Sequence, residues 1–308
     1  VRAGFPANKI VFAGVGKADW EINLGLDNDI FCFNVESAVE LEIINELAAA
    51  KNKVASIALR INPEVDAHTH AKITTGMKEN KFGINLSQLG GVLDKLKEMK
   101  HVKLIGIHSH IGSQITDMSS FRNLVIRFNE IQEELEAHGV TVENLNFGGG
   151  LGIDYYHPNH LSIPAFDNYF AAIHKLLQVR PGQQVHFEPG RSIVAQCGTL
   201  ISKVLYVKEG ETKKFAILDA GFTELIRPAM YDAYHRIENI SSDEAVETYD
   251  VVGPICESSD VFGKDVELNK AHRGDLIALR SAGAYGEVMA SQYNCRHLPK
   301  AYYSDTIK

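Results

Sequence analysis

Three short apolar stretches of the sequence end in residue types that could do chemistry. "LIGIHSHIGSQ" (104–114) ends in two histidines and a serine, "NLNFGGGLG" (144–152) in a run of glycines, and "QVHFEPGRSIVA" (184–195) contains Glu-Pro-Gly-Arg. Backbone N–H groups approach a phosphate closely only where no side chain blocks them. A carboxylate opposite a pyridine nitrogen keeps that nitrogen protonated. The second and third stretches therefore suit a ligand with a phosphate at one end and a ring nitrogen at the other.

Each of these features also has a plain structural explanation. The glycines of "FGGGLG" do not fit the G-x-G-x-x-G dinucleotide spacing, and a tight turn without any ligand would also explain them. Arg191 could form an ion pair with Glu188 at the surface. His108 and His110 alternate on a predicted strand and would share one face. They could be core residues, metal ligands, or rings that stack on a cofactor, although no acid lies at a spacing that supports a metal site.

Further candidate residues lie in the last third of the chain. "GPICESSD" places the thiol of Cys256 beside the carboxylate of Glu257 after a Gly-Pro turn, where the alternative is an edge loop. "LIRPAMYDAYH" places Arg227 and Tyr231 four residues apart, on one face of a predicted helix. "SAGAYG" places Tyr285 between small residues that would let a ligand approach.

The elements that must position these residues follow from the alternation of apolar runs and helical patterns up to about residue 195. The predicted strands are "KIVFAGVG", "DIFCFNV", "ASIALRIN", "KLIGIHSH", "ENLNF" and "QVHFE", with long helices over 36–52 and 118–139. This alternation predicts parallel βαβ units with both sheet faces covered. In a (β/α)8 TIM barrel the catalytic residues lie at the carboxyl ends of the strands, and the phosphate site commonly follows strands 7 and 8. The glycine-rich endings then make the six runs strands 3 to 8, so we expect strands 1 and 2 to precede residue 1.

After residue 196 the sequence changes to strands joined by glycine-rich and charged turns, with a short helical pattern over 228–235. The predicted fold class is therefore α/β: an N-terminally incomplete barrel over 1–195, followed by a mostly antiparallel β-sandwich-like or barrel-like domain over 196–308.

Composition excludes several classes of function. The net charge of −8 argues against nucleic acid or an anionic membrane as a partner, and no apolar run reaches 18 residues. Four widely spaced cysteines without a C-x-x-C pair predict reduced thiols and a cytoplasmic location.

Taken in order, the motifs "HSHIGSQ", "FGGGLG", "EPGR", "RPAMYDAYH", "GPICESSD" and "GAYG" resemble those of the diaminopimelate decarboxylases, a family of fold type III enzymes that depend on pyridoxal 5'-phosphate (PLP). The resemblance covers essentially the whole chain. It implies a PLP-binding barrel with a β domain and a homodimer with shared active sites. The implied reaction converts meso-2,6-diaminopimelate, a small amino acid, to L-lysine and carbon dioxide, the last step of lysine biosynthesis.

The resemblance also implies roles for individual residues. His110 would stack on the cofactor ring, Glu188 would pair with the pyridine nitrogen, and Cys256 would donate a proton from the partner subunit. The implied cofactor contacts are His110, Ser113, Gly149, Gly150, Glu188, Gly190, Arg191 and Tyr285, and the implied substrate contacts are Arg191, Arg227, Tyr231, Glu257 and Tyr285. Arg60 and Lys81 also match family positions that support the site, and no metal is implied.

Chemistry favours this substrate over its rivals. A substrate whose far end has both an ammonium and a carboxylate needs an acid, here Glu257, and an arginine, here Arg227, whose planar fork binds carboxylate through two hydrogen bonds. A diamine-producing decarboxylase needs only the acid. The alternatives left open are another basic amino-acid or polyamine-precursor decarboxylase on the same fold, and a silent homologue that acts by binding a partner.

One residue of the family pattern is not found. Fold type III enzymes bind PLP covalently through a lysine after the first barrel strand, in a context resembling Y-A-x-K-A-N, and neither Lys17 nor Lys81 has that context. We therefore expect an upstream segment to supply both this lysine and the first two strands.

Overall fold

The computed structural model describes residues 1–65, 81–161 and 164–306. His68 and His70, which the sequence assigns to a solvated loop, lie outside these residues. The chain divides into two compact units, the first formed by Val1–Leu151 with Phe166–Pro189 and the second by Gly152–Ala165 with Gly190–Lys308. The domain boundary predicted after residue 195 stays a prediction.

The first unit contains a parallel sheet flanked by helices. Its strands are β1 (Val11–Phe12), β2 (Cys32–Val35), β3 (Ala55–Asn62), β4 (Ile84–Asn85), β5 (Val102–His108), β6 (Asn144–Asn146) and β7 (Gln184–His186). Its helices are α1 (Asp19–Asp27), α2 (Ala38–Ala50), α3 (Leu86–Glu98), α4 (Met118–Ala137) and α5 (Phe166–His174), with a 3₁₀ turn at Ala7–Lys9. The strand order is β1-β2-β3-β5-β6-β7, and β4 pairs with β3.

The six strands predicted from apolar runs are confirmed, and their order in the sheet is their order in the chain. All four residues of β2 are buried, as expected for a strand covered on both faces. Ser37 caps α2 by accepting a hydrogen bond from the N–H of Glu40, and Asp117 caps α4 in the same way. These caps fix the first residues of α2 and α4. They therefore define where the loops that follow the carboxyl ends of β2 and β5 end.

The second unit contains a six-stranded sheet. Its strands are β8 (Leu200–Glu209), β9 (Lys214–Leu218), β10 (Ile237–Asn239), β11 (Val246–Val252), β12 (Val261–Asn269) and β13 (Leu276–Leu279). Short helices are α6 (Arg191–Val194) and α7 (Arg227–Tyr231), with 3₁₀ turns at Ala195–Cys197, Glu287–Met289 and Tyr293–Cys295. The order is β10-β13-β8-β9-β11-β12, and only β9 and β11 pair in parallel. The prediction of a mostly antiparallel sheet is confirmed.

Helix α7 is shorter than the pattern over 228–235 predicts. It ends at Tyr231 because Asp232 adopts a left-handed conformation, with φ 52° and ψ 32°. The chain then turns away, so His235 lies outside the helix. Arg227 and Tyr231 remain the first and last residues of its single turn.

Within the described residues, none of the helices combines the length and the apolar character that crossing a membrane requires.

Candidate active site

Glu188 follows the end of β7 and is held by side chains from neighbouring strands. Its Oε1 accepts hydrogen bonds from Asn146 Nδ2 at 2.8 Å and from Asn34 Nδ2 at 3.3 Å. His108 Nε2 lies 3.4 Å from its Oε2. These residues belong to β2, β5 and β6, so the parallel sheet brings their side chains to one place. About a third of the Glu188 side chain (35%) stays exposed.

The surroundings of Glu188 keep its carboxylate ionised. Burial raises its pKa, but the stronger combined effect of His108, Asn146 and His110 lowers that pKa to about 2. A partly exposed anion fixed by three neighbours is suited to pair with a cation, such as a protonated ring nitrogen.

His110 does not lie on the predicted strand. Strand β5 ends at His108, so the prediction that the two histidines share a strand face is wrong. His110 lies in the following loop, where its Nδ1 accepts a hydrogen bond from the N–H of Gly149 at 3.2 Å. Burial, together with the cation of Arg60, lowers the pKa of His110 to about 4, so the ring is neutral near pH 7 and Nδ1 can accept.

The glycine run after β6 packs against backbone on each side. A Cβ atom on Gly148 would lie 2.6 Å from the carbonyl oxygen of Ser109, and one on Gly149 only 2.2 Å from that of Glu188. A Cβ atom on Gly150 would lie 2.6 Å from the carbonyl oxygen of Gly112. The loops after β5, β6 and β7 thus meet backbone to backbone, which only glycine allows.

Two other residues implied to hold a phosphate are less enclosed. Ser113 is half-buried in the loop after β5. Gly190 precedes α6, and a Cβ atom there would meet only Tyr285 Oη, at 4.0 Å. Within the first unit, the glycine run and Ser113 offer backbone that a phosphate can approach, and Glu188 offers the carboxylate that a pyridine nitrogen needs. The residues present therefore fit PLP.

Sequence reasoning missed the amides that hold Glu188. The only signal was the position of Asn34 and Asn146 at or beside the carboxyl ends of β2 and β6, where a polar side chain in an apolar strand is unusual. Arg60, by contrast, is engaged in a buried ion pair with Glu36 at 2.7 Å, and its guanidinium lies over the ring of Phe82.

In the second unit, two arginines are buried around one aromatic ring. Arg191 and Arg227 are only 7% and 5% exposed, so the alternative of a surface ion pair for Arg191 is wrong. Arg191 Nη1 donates to Tyr155 Oη at 2.8 Å, and Arg227 Nη1 lies 2.8 Å from Nε2 of His235. The ring of Tyr155 lies within 4.9 Å of Arg227 Cζ and 6.0 Å of Arg191 Cζ. We call these four residues the arginine cluster.

Two tyrosines predicted from the sequence accompany the arginine cluster. Tyr285 is 42% exposed, has a positive φ of 58°, and its ring centroid lies 5.0 Å from Arg191 Cζ. Tyr231 is half-buried at the end of α7. Burial lowers the pKa of Arg227, and the electrostatic interaction with Tyr231 acts in the opposite direction.

Cys256 and Glu257 lie in the loop that joins the antiparallel strands β11 and β12, and both side chains are exposed. Tyr293 Oη donates to Glu257 Oε1 at 2.6 Å. The base of the loop is fixed by Asp260, whose carboxylate accepts from the N–H groups of Ile255 and Phe222 at 2.8 and 2.7 Å. The loop therefore has a fixed base and an exposed tip.

The ammonium group of Lys17 is engaged in hydrogen bonds within the fold. Its side chain is fully buried, and Nζ donates to the carbonyl oxygens of Gly14 and Asn34 at 2.8 and 2.7 Å and to the carboxylate of Glu40. Such a lysine is not available to bind a cofactor covalently. The expectation that another lysine does so stays a prediction.

Comparison with known proteins places these features in a family. Residues 1–195 match the model of the pyridoxal-dependent decarboxylase, pyridoxal binding domain. Diaminopimelate decarboxylase of Bacteroides thetaiotaomicron is 69% identical over 307 residues, covering 100% of this chain and 80% of the relative.

Solved structures agree. Diaminopimelate decarboxylase from Helicobacter pylori, complexed with L-lysine, superposes with a TM-score of 0.88 at 41% identity, covering 95% of this chain and 73% of that one. The enzyme from Methanocaldococcus jannaschii, also with L-lysine, gives a TM-score of 0.85 at 41% identity, covering 94% and 68%. The chain therefore belongs to the pyridoxal-dependent decarboxylases and, within them, to the diaminopimelate decarboxylases.

Proposed function

We propose that this protein decarboxylates meso-2,6-diaminopimelate to L-lysine and carbon dioxide, the last step of lysine biosynthesis. The observation that carries the substrate assignment is the pair of buried arginines, Arg191 and Arg227. Decarboxylation consumes one amino-acid end of the substrate and leaves the other end intact. The far end therefore keeps a carboxylate throughout, and it needs cationic partners.

Glu188, His110 and the glycine-lined loops would hold the cofactor. PLP, when bound, supplies an electron sink for the pair left on Cα as carbon dioxide departs. Glu188 would keep the ring nitrogen protonated, which its low pKa supports. The neutral ring of His110 would stack on the cofactor, and Ser113, Gly149, Gly150 and Gly190 would surround the phosphate.

The substrate would be held at its far end. Arg191, Arg227 and Tyr231 would bind the distal carboxylate, and Glu257 would take the distal ammonium. Tyr285 would lie at the cofactor. The hydroxyl of Tyr293 supports this role for Glu257, because its hydrogen bond limits where the carboxylate can point.

The proton that replaces the lost carboxylate would come from Cys256 of a second copy of the chain. A homodimer with shared sites is supported by the exposure of both Cys256 and Glu257 at the tip of a loop with a fixed base. A thiol can donate a proton near neutral pH, and a positioned acid is required at Cα. Four free cysteines also support a reducing, cytoplasmic location.

The two rival functions fit less well. A decarboxylase for ornithine or arginine has no distal carboxylate to bind. The buried guanidinium of Arg227 would then have no ligand to balance its charge, and burying a charge without a counter-charge is costly. A silent homologue has no need to keep Glu188 ionised or Cys256 exposed.

A substrate panel tests the proposal. The PLP-loaded enzyme should release carbon dioxide from meso-diaminopimelate with a kcat/KM about 10⁴-fold or more above that for lysine, ornithine or arginine, because sites built around buried polar groups reject analogues that leave those groups unpaired. A preference for ornithine or arginine would support the first rival, and no turnover of any of the four would support the second.

Arg227→Ala should impair the decarboxylation of diaminopimelate much more than the decarboxylation of lysine. We expect KM for diaminopimelate to rise about 100-fold, because a buried charge-assisted contact is lost. The rate of any slow decarboxylation of lysine should change little. Lysine has a single carboxylate, and when lysine is the substrate that carboxylate is the reacting one, so none lies at the far end. Equal losses with both substrates would mean that Arg227 acts only on stability.

A further inference from the structure

The protonation state of His235 follows from its two hydrogen bonds. Its Nδ1 lies 2.8 Å from the backbone carbonyl oxygen of Arg280, and a carbonyl only accepts, so Nδ1 carries the hydrogen. Nε2 then presents its lone pair to Arg227 Nη1 at 2.8 Å. Both ring nitrogens are satisfied by the neutral imidazole, which is 1% exposed.

The surroundings of His235 oppose its protonation. Burial lowers the pKa of His235 to about 4. The hydrogen bond to the Arg280 carbonyl acts in the opposite direction, and the cations of Arg227 and Arg191 act in the same direction as burial. His235 therefore holds Arg227 near pH 7 without adding a charge of either sign.

Tyr155 connects the two halves of the arginine cluster. Its hydroxyl accepts from Arg191 and its ring face lies near Arg227. The same ring packs edge-on against His235, with centroids 5.1 Å apart and planes at 76°. Tyr155 is also buried, at 6% exposure, so it contacts both arginines without adding a charge.

This arrangement leaves positive charge in a buried place. Burial lowers the pKa of Arg227, and the charge of Arg191 adds to that effect. Among the residues for which the structure gives side chains, no carboxylate forms an ion pair with Arg227. An anionic ligand would supply the missing counter-charge, and the attraction between charges is stronger in a buried site than in water.

We propose that His235 and Tyr155 are positioning residues, which hold Arg227 in place near Arg191 and leave the charge of Arg227 for the distal carboxylate of the substrate. This role rests on the proposed function, which makes both arginines substrate-binding. An acidic residue in place of His235 would fix Arg227 equally well but would form an ion pair with it and compete with the substrate. The neutral imidazole of His235 fixes the position of Arg227 and leaves its charge for the ligand.

The test uses two ligands that differ only in the carboxylate. L-Lysine, the product, keeps the distal carboxylate, whereas cadaverine is the same diamine without it. In the PLP-loaded enzyme, His235→Phe should weaken inhibition by lysine about tenfold, the effect of losing one hydrogen bond to a charged group. Inhibition by cadaverine should stay within about twofold of the parent value, because cadaverine makes no use of the arginines. His235→Gln, whose amide oxygen can still accept from Arg227, should restore most of the affinity for lysine.

Tyr155→Phe provides a second variant that needs no large change in packing. It removes only the hydroxyl that accepts a hydrogen bond from Arg191. It should again weaken inhibition by lysine more than inhibition by cadaverine. Tyr156→Phe is the matched control. Tyr156 is the next residue, is 60% exposed and stacks on Tyr234, with ring centroids 4.2 Å apart. The Tyr156→Phe variant should therefore be inhibited by lysine and by cadaverine as the parent enzyme is.

Two outcomes would count against the account in different ways. If the parent enzyme prefers lysine but His235→Phe and Tyr155→Phe weaken both ligands alike, the positioning role is overturned and the proposed function stands. If the parent enzyme does not distinguish lysine from cadaverine, the substrate assignment itself fails, and the positioning role fails with it.

Discussion

Replacing Glu188 by glutamine is expected to lower kcat by about 10²–10³-fold, the loss that follows removal of one preorganised electrostatic partner in an active site. The pKa of Glu188, held at about 2, keeps its carboxylate ionised at neutral pH. Glutamine has nearly the same shape and can still accept from Asn146, but it cannot keep a pyridine nitrogen protonated. Glu188→Ala should have at least as large an effect.

Three measurements make this prediction specific. Bound PLP, followed by its absorbance, should be largely retained in Glu188→Gln, which separates lost chemistry from lost binding. The matched control is Glu133→Gln, on the exposed face of α4, which should match the parent. A Glu188→Gln enzyme that turns over diaminopimelate at close to the parent rate would show that Glu188 does not support the electron sink.

Mixed dimers should reveal which subunit contributes Cys256. Cys256→Ala and Glu188→Ala homodimers are each expected to be nearly inactive. If each site combines Glu188 of one subunit with Cys256 of the other, the isolated heterodimer of these two chains contains one site free of both changes. It should then have about half of the parent activity, since closed homodimers have two equivalent sites.

The reciprocal heterodimer is the control. A parent chain paired with a chain that has both substitutions contains no intact site if the sites are shared, and one intact site if they are not. Activity in this heterodimer, with none in the first, would place Cys256 in the site of its own subunit.

The strands could be predicted from the sequence because the apolar runs are bounded by turn residues, and those of β2 and β3 are buried on both faces. "CFNV" and "ASIALRIN" became β2 and β3 within the predicted limits. Strand β4 was missed because two residues, Ile84 and Asn85, are too few to form a pattern. Helix α7 was predicted too long because its end depends on the left-handed backbone of Asp232, which periodicity does not reveal.

The candidate site was predictable in its residue types but not in its contacts. Glu188 was identified by the local motif "EPGR". Its partner Asn34 lies 154 residues away along the chain, and only the parallel sheet brings the two together. His235 is a similar case, because the carbonyl of Arg280 that fixes its tautomer lies 45 residues further along. Contacts of this kind depend on tertiary structure, so no motif reports them.

The most direct test of the central claim is the product balance of a single reaction. The PLP-loaded enzyme is incubated with meso-diaminopimelate in deuterium oxide, and carbon dioxide and lysine are quantified together by mass spectrometry. We expect one lysine for each carbon dioxide, with one deuterium on the carbon that lost its carboxylate, and formation of both products about 10²–10³-fold more slowly by the Glu188→Gln enzyme. Absence of lysine, or its formation at the same rate by Glu188→Gln, would contradict the account.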